Sequence, residues 1–190
     1  MTTTAIELCS AALVKIGARP LGSFDEPSAE ADVARRLYAL NLDALLSAHP
    51  WSFTLSQAEL APQPELPVAD FAHAFSLPDD CLKVLSAGLP GSGRGLVYRI
   101  QGRKLMADAP AVTLTYQRRV PEEELPPFLL PTFLARLSAE FCVPLTEGSS
   151  RAEGLYQLAA AELRLARLID SQQSTPQRVE DFSLIRARMQ

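Results

Sequence analysis

The sequence is poor in the residues that most often carry chemistry. It has only two histidines, His49 and His73, and three cysteines, Cys9, Cys81 and Cys142. The cysteines are odd in number and far apart, which predicts buried, reduced thiols and neither a disulfide framework nor a zinc site. Neither histidine has cysteines or carboxylates near it at ligand spacing. We therefore expect no catalytic residue, no cofactor and no metal.

Targeting signals are also lacking. The N-terminal residues Met-Thr-Thr-Thr-Ala-Ile-Glu have neither the basic region nor the apolar core of a signal peptide. No apolar run approaches the roughly 18 residues that a membrane span requires. These absences predict a chain made in the cytosol, with no membrane among its partners.

Positive charge is not in excess. The 18 lysines and arginines are outnumbered by 22 aspartates and glutamates, which gives a net charge of −4. Nucleic-acid-binding domains usually carry a basic patch or stripe. The composition therefore argues against a protein that grips DNA or RNA.

What the sequence does contain is helical periodicity at both ends. Apolar residues recur at helical spacing over about 4–16, 28–47, 128–147 and 150–169, and Thr4/Glu7 and Ser150/Glu153 have capping-box spacing. Such stripes are typical of helix faces that pack on a neighbour. Three of them are Val33, Leu37, Leu40 and Ala44; Leu130, Leu134, Leu137 and Phe141; and Leu158, Leu165 and Ile169. In the second helix Tyr38, Leu42 and Leu45 widen the apolar arc, which indicates two neighbours.

The middle of the chain has period-two patterning instead. Candidate strands cover 71–77, 82–85, 97–100, 104–106 and 112–116, and Gln101-Gly102 is a plausible hairpin turn. The fold class predicted is α+β. Residues 1–50 and 128–172 form a bundle of about four helices, 51–127 form an inserted antiparallel β-meander, and 173–190 form an extended C-terminal tail.

The candidate sites are better explained as structural anchors. Trp51 and Phe53 follow a helix-ending proline without basic neighbours, so a core or interface anchor is favoured. Pro78 and Asp80 lie in a predicted turn, where Asp79 and Asp80 would bond local amides. A divergent hydrolase using Asp79, Asp80 or His73 is a weaker alternative. The acidic run 122–124 is most simply a solvated loop.

Several short motifs occur in an order that resembles one family. Ile16-Gly17 closes the first helix, Ser23-Phe24-Asp25-Glu26 precedes the second, and Pro50-Trp51-Ser52-Phe53 follows it. An aromatic-alternating strand then runs into Leu77-Pro78-Asp79-Asp80-Cys81-Leu82-Lys83-Val84, a late strand ends at Tyr116, and two helices precede Ser183 to Arg188. Over nearly its whole length the chain resembles the tail tubular protein A, or head-to-tail adaptor, family of tailed bacteriophages. It departs from that family at Phe182 and Ile185, near which a tryptophan is usual.

The resemblance implies a structural virion protein in the neck or tail, assembled in the host cytoplasm. Such proteins form a ring of about twelve copies below the portal protein, extend the DNA channel and receive the next tail or neck protein. DNA would pass through without specific binding. The resemblance also implies that the tail docks on the portal, through the residues Arg178, Phe182, Ser183, Leu184, Ile185, Arg186 and Arg188. The alternative is a small helical regulatory or scaffolding protein without enzymatic activity.

Overall fold

The computed structural model describes residues 4–65 and 67–173. Within these ranges the helices are α1 (Ala5–Lys15), α2 (Ala29–Ser47), α3 (Leu130–Thr146) and α4 (Ser149–Ser171). The strands are β1 (Leu55–Leu60), β2 (His73–Ser76), β3 (Cys81–Gly88), β4 (Tyr98–Gln101), β5 (Lys104–Ala107) and β6 (Val112–Arg118). The prediction of an α+β class, with helices at both ends and antiparallel strands between them, is confirmed.

The first helix begins and ends as its sequence predicts. The Thr4 hydroxyl accepts a hydrogen bond from the Glu7 amide at 3.2 Å, and the Glu7 carboxylate accepts one from the Thr4 amide at 2.9 Å. These bonds satisfy two amides that the first turn leaves without helical partners. Gly17 has a φ of +79° and ends the helix. Arg151 of α4 donates to the carbonyls of Lys15 and Ile16, so the end of α1 is fixed to the start of α4.

The second helix buries a different face from the one that its most regular stripe indicated. Its buried residues are Ala31, Ala34, Tyr38, Asn41, Leu42, Leu45 and Leu46. The stripe Val33, Leu37, Leu40 and Ala44 lies at the edge of the core or outside it, and Leu40 is 68% exposed. Helical periodicity identified both stripes, but spacing alone could not decide which one the neighbouring helix would cover.

The third helix is the centre of the bundle, and the other three helices all pack on it. Pro131 lies in its first turn, where a proline costs no hydrogen bond. Phe133, Leu137 and Phe141 are fully buried, whereas Leu130 and Leu134 are half-buried. Tyr38 of α2 meets the Phe133 ring edge-on at 5.5 Å.

The fourth helix corrects two predictions. Its N-cap is Gly148, and no side chain caps it, because the helix starts two residues too early for Ser150 to act as the cap. The predicted stripe is not the buried one either, since Leu158 and Leu165 are exposed. The buried residues are Ala152, Ala159, Ala166 and Asp170, which recur every seven or four positions. Small side chains on this seam let α4 lie close against α3.

The strands form two three-stranded antiparallel sheets, ordered β1-β6-β3 and β2-β5-β4. Both sheets contribute to one apolar core, which includes Phe75, Leu105 and Leu114. The hairpin between β4 and β5 turns at Gly102, whose φ is +59°. Strand β1 was missed, because its sequence Leu-Ser-Gln-Ala-Glu-Leu lacks the strict alternation of apolar and polar residues that predicts a strand.

The acidic run 122–124 is a short 3-10 helix. None of its side chains is buried, as a solvated segment predicts, but two of its members have partners in the fold. Glu122 accepts a hydrogen bond from the Tyr38 hydroxyl at 3.2 Å, and Glu124 pairs with Arg118. The run therefore connects the end of β6 to the second helix.

Candidate assembly surface

Trp51 lies at the junction between the helical bundle and the strands. Its side chain is fully buried, and its indole N–H donates to the Leu45 carbonyl at 3.0 Å. The Phe53 ring lies 6.0 Å from it, and Phe128 meets Phe53 edge-on at 6.2 Å. These contacts join the segment before the first strand, at 51–53, to the segment before α3, at 128.

Asp170 forms a clasp at the same junction. Its carboxylate is only 4% exposed and accepts hydrogen bonds from the Ser52 amide at 3.1 Å and the Ser52 hydroxyl at 2.7 Å. The His49 imidazole lies 3.8 Å away. Burial, followed by the positive charge of Arg167, lowers the pKa of His49, while the carboxylate opposes that shift. The sequence did not indicate this clasp, because its two sides are 118 residues apart.

Gln117 completes the connection between the sheet and the bundle. It is fully buried in β6, and its side-chain N–H₂ donates to the carbonyls of Leu46 and His49 at 3.0 and 2.5 Å. Those carbonyls lie at the end of α2 and just beyond it, where the helix leaves them without internal partners. The β-rich part is thereby fixed to the bundle by polar bonds as well as by the aromatic contacts.

The turn before β3 holds the other two predicted anchors. The Pro78 carbonyl accepts from Arg103 at 2.6 Å, and the Asp80 carboxylate accepts from the Tyr116 hydroxyl at 3.2 Å. Asp79 is fully exposed, with Arg103 3.8 Å away, and the His73 ring contacts Phe75. Thus Asp79, Asp80 and His73 have separate partners in the described part of the chain and do not form a catalytic cluster there.

The outer face of α4 carries an apolar stripe that nothing in the described chain covers. We call it the α4 stripe, and its residues are Leu158, Ala161, Leu165 and Leu168. The three leucines are 43%, 52% and 57% exposed. The spacing of three and four residues is that of a coiled-coil seam. Glu162 and Arg164 flank the stripe, and neither makes a hydrogen bond or ion pair within the described residues.

A second apolar stripe lies on α2, and it is partly covered: Val33 and Leu37 are half-buried against the core, whereas Leu40 and Ala44 are exposed. We call the set Val33, Leu37, Leu40 and Ala44 the α2 stripe. Its spacings are four, three and four residues, so its last three members have the same spacing as the first three members of the α4 stripe. Arg36 flanks it, with a side chain that is 72% exposed and bonded to Asp32 at 3.0 Å. This pair agrees with the one-turn spacing of the two residues in the sequence.

A groove of about 260 Å³ lies between α2, α3 and α4. The hydroxyl oxygen of Thr132 is buried in its wall and has no hydrogen-bond partner. Arg136, also in the wall, is held by the Asn41 side chain at 2.9 Å. The groove shows that α2 and α4 stand apart on α3, so their outward stripes belong to separate surfaces.

The seven residues predicted to bind a portal, at 178, 182–186 and 188, lie outside the described residues. Among those that are described, the structure contains no group of three or more histidines, cysteines and carboxylates that could hold a metal ion. No helix of the described ranges is both long and apolar enough to cross a membrane. No protein-family model matches the chain, and its sequence matches no curated protein.

Proposed function

We propose that this chain is a subunit of a head-to-tail adaptor, a ring between the portal and the tail or neck of a tailed bacteriophage. In this role each subunit contacts two copies of itself, the portal above and another tail or neck protein below. Its work is mechanical. Free energy for assembly comes from the interfaces that the subunits bury.

The observation that carries the proposal is the α4 stripe. Monomeric proteins expose scattered apolar side chains, but a continuous row of leucines on one helix face is typical of an interaction surface. The inner face of α4 is already occupied by its alanine seam on α3. A helix with two apolar faces, of which the fold covers one, is what a subunit of an assembly requires.

Two further features support the adaptor over other assemblies. The motifs that resemble the adaptor family fall at the joints of the fold: the end of α1, the turn before α2, the junction at Trp51 and the turn at Asp80. In that turn before α2, Glu26 accepts hydrogen bonds from the amides of Gly22 and Ser23 at 2.9 and 3.1 Å. The net charge of −4 also suits a channel through which DNA slides, because a ring of acidic subunits repels phosphates.

The test of the proposal is electron microscopy of the purified chain, alone and mixed with the portal protein encoded in the same genome. We expect rings seated on the portal. A compact dimer that ignores the portal would favour the regulatory or scaffolding alternative, and it would overturn the adaptor.

A truncation tests the expected role of the C-terminal residues. A chain ending at Ser174 keeps every described element, so we expect it to fold normally by circular dichroism and fail to bind portal-containing particles. Full attachment of this truncated chain would refute the docking role of residues 178–188.

DNA binding provides an independent check. We expect the purified chain to bind duplex DNA no more tightly than an acidic control protein of similar size. Tight binding that weakens steeply with salt would count against a passive channel.

A further inference from the structure

We propose that the α4 stripe of one subunit packs against the α2 stripe of the next copy, in a parallel helix pair whose flanking charges are Glu162 and Arg36. This inference rests on the proposed ring and goes beyond it, since it names the two surfaces that meet. The argument depends on matched spacing, complementary size and complementary charge.

The two stripes match in length and period. Val33 to Ala44 and Leu158 to Leu168 each extend about 15 Å along a helix at 1.5 Å per residue. Both alternate steps of three and four residues, which is the pattern that keeps two helices in contact. Because α2 and α4 are separated on α3 by a groove, neither stripe covers the other within one chain.

Side-chain sizes are complementary when the stripes are aligned in parallel. Leu37 then faces Leu158, Leu40 faces Ala161, and Ala44 faces Leu165. In two of the three layers a leucine meets an alanine, so large and small residues interdigitate without an overpacked or empty layer. The alignment uses residues that the fold leaves at the edge of the core or in solvent.

Charge decides the direction of the pair. In a parallel pair, the residue just before a core layer has a counterpart directly opposite it on the partner helix. It lies near the partner residue five positions beyond that counterpart. Arg36 is thereby placed beside Glu162, which has no partner within the described residues. An antiparallel pair with the same layers would place Arg36 beside Arg164, a repulsive contact.

A contact between two different surfaces has a consequence for assembly. Each subunit offers an α4 stripe to one neighbour and an α2 stripe to the other, so the contact is heterologous and propagates head to tail. Such contacts close into a ring when the rotation per subunit divides a full turn. A two-fold dimer would instead use the same stripe on both chains.

Cysteine cross-linking tests the contact directly. In a background with Cys81→Ser, which removes the half-exposed native thiol, Leu40→Cys and Ala161→Cys are made separately and together. When the Leu40→Cys and Ala161→Cys chains are mixed and oxidised, we expect only cross-linked dimers. The chain that carries both cysteines should give a series of cross-linked dimers, trimers and larger oligomers. Dimers from Leu40→Cys alone or Ala161→Cys alone, or no cross-link between the two, would overturn the proposal.

A charge exchange tests the direction. Arg36→Glu should lower the cross-linking yield at least several-fold, and adding Glu162→Arg should restore it. Arg35→Glu is the matched control, because Arg35 also pairs with Asp32 but lies away from the stripe. Stronger cross-linking in Arg36→Glu would show the antiparallel pair and refute the parallel one.

The cross-linking result is separable from the proposed function. Rings seen by microscopy without the Leu40→Cys and Ala161→Cys cross-link would refute this interface and leave the adaptor intact. A ladder formed by a chain that never binds portal would support the interface and refute the adaptor.

Discussion

Replacing Asp170 by alanine is the sharpest test of how the fold is held together. The side chain is 4% exposed and accepts hydrogen bonds from two donors, the Ser52 amide and the Ser52 hydroxyl. A hydrogen bond to a charged group contributes about 1.5–3 kcal/mol. In the variant, water can replace part of the lost hydrogen bonding at Ser52, which is only half-buried. We therefore expect Asp170→Ala to lower the free energy of unfolding by about 3 kcal/mol.

The assay is urea denaturation followed by circular dichroism and by the fluorescence of Trp51, the only tryptophan, which lies beside the clasp. For a chain of this size a loss of about 3 kcal/mol corresponds to a fall of roughly 6–12 °C in the melting temperature. Ser52→Ala is the matched control. It removes the hydroxyl donor and keeps the amide, so it should cost about half as much, about 1.5 kcal/mol.

Two outcomes would refute this reasoning. A loss below about 1 kcal/mol in Asp170→Ala would mean that the carboxylate contributes little beyond a solvated surface group. An equal loss in Ser52→Ala would mean that the hydrogen bond from the Ser52 backbone amide to Asp170 contributes almost nothing to stability. Additive effects in the double variant would also argue against direct coupling of the two residues.

The remaining predictions concern titration and thiol reactivity. Burial and Arg167 lower the pKa of His49 in the folded chain, against the opposing effect of Asp170. As the pH falls, His49 is therefore protonated in the unfolded chain before it is protonated in the folded chain. Stability should therefore fall as the pH drops through about 6.5, and His49→Gln should flatten that fall in urea midpoints measured from pH 7.5 to 5.5. Burial raises the pKa of Cys9 to about 12. A maleimide should therefore label Cys81 in the native protein and reach Cys9 only after unfolding, as read by peptide mass spectrometry; early labelling of Cys9 would contradict its burial.

Local signals predicted much of the fold. The helices, the hairpin at Gly102 and the capping box at Thr4 depend on residues a few positions apart, so the sequence displays them directly. The predicted ends of the helices were also close to the observed ends, because Gly17 and Pro50 interrupt helical geometry.

Which face of a helix is buried could not be predicted in the same way. On α4 the leucines are larger and more apolar than the alanines, yet Ala159 and Ala166 face α3 and Leu165 faces solvent. Periodicity detects both faces equally. The choice depends on how closely the backbone of α3 approaches, which is a property of the tertiary structure.

The polar joints were missed for a related reason. Asp170 lies far from Ser52 in the sequence, and Gln117 lies far from the end of α2. The motif that contains Ser52 does not indicate its distant partner. A buried acid near the end of a helix looks like an ordinary solvated residue until the fold places a donor beside it. Strand β1 was missed because its apolar residues do not alternate, and its pairing with β6 is a contact between residues more than fifty positions apart.

The alanine seam and the leucine stripe of α4 should respond differently to natural drift. If the proposed ring forms, a lineage that abandoned it would still need Ala152, Ala159 and Ala166, since a larger side chain there would push the helix off its neighbour. It would have no use for Leu158, Leu165 and Leu168, which would decay to polar residues. On this proposal, descendants that keep both the alanine seam and the leucine stripe are those in which selection still acts on contacts between subunits.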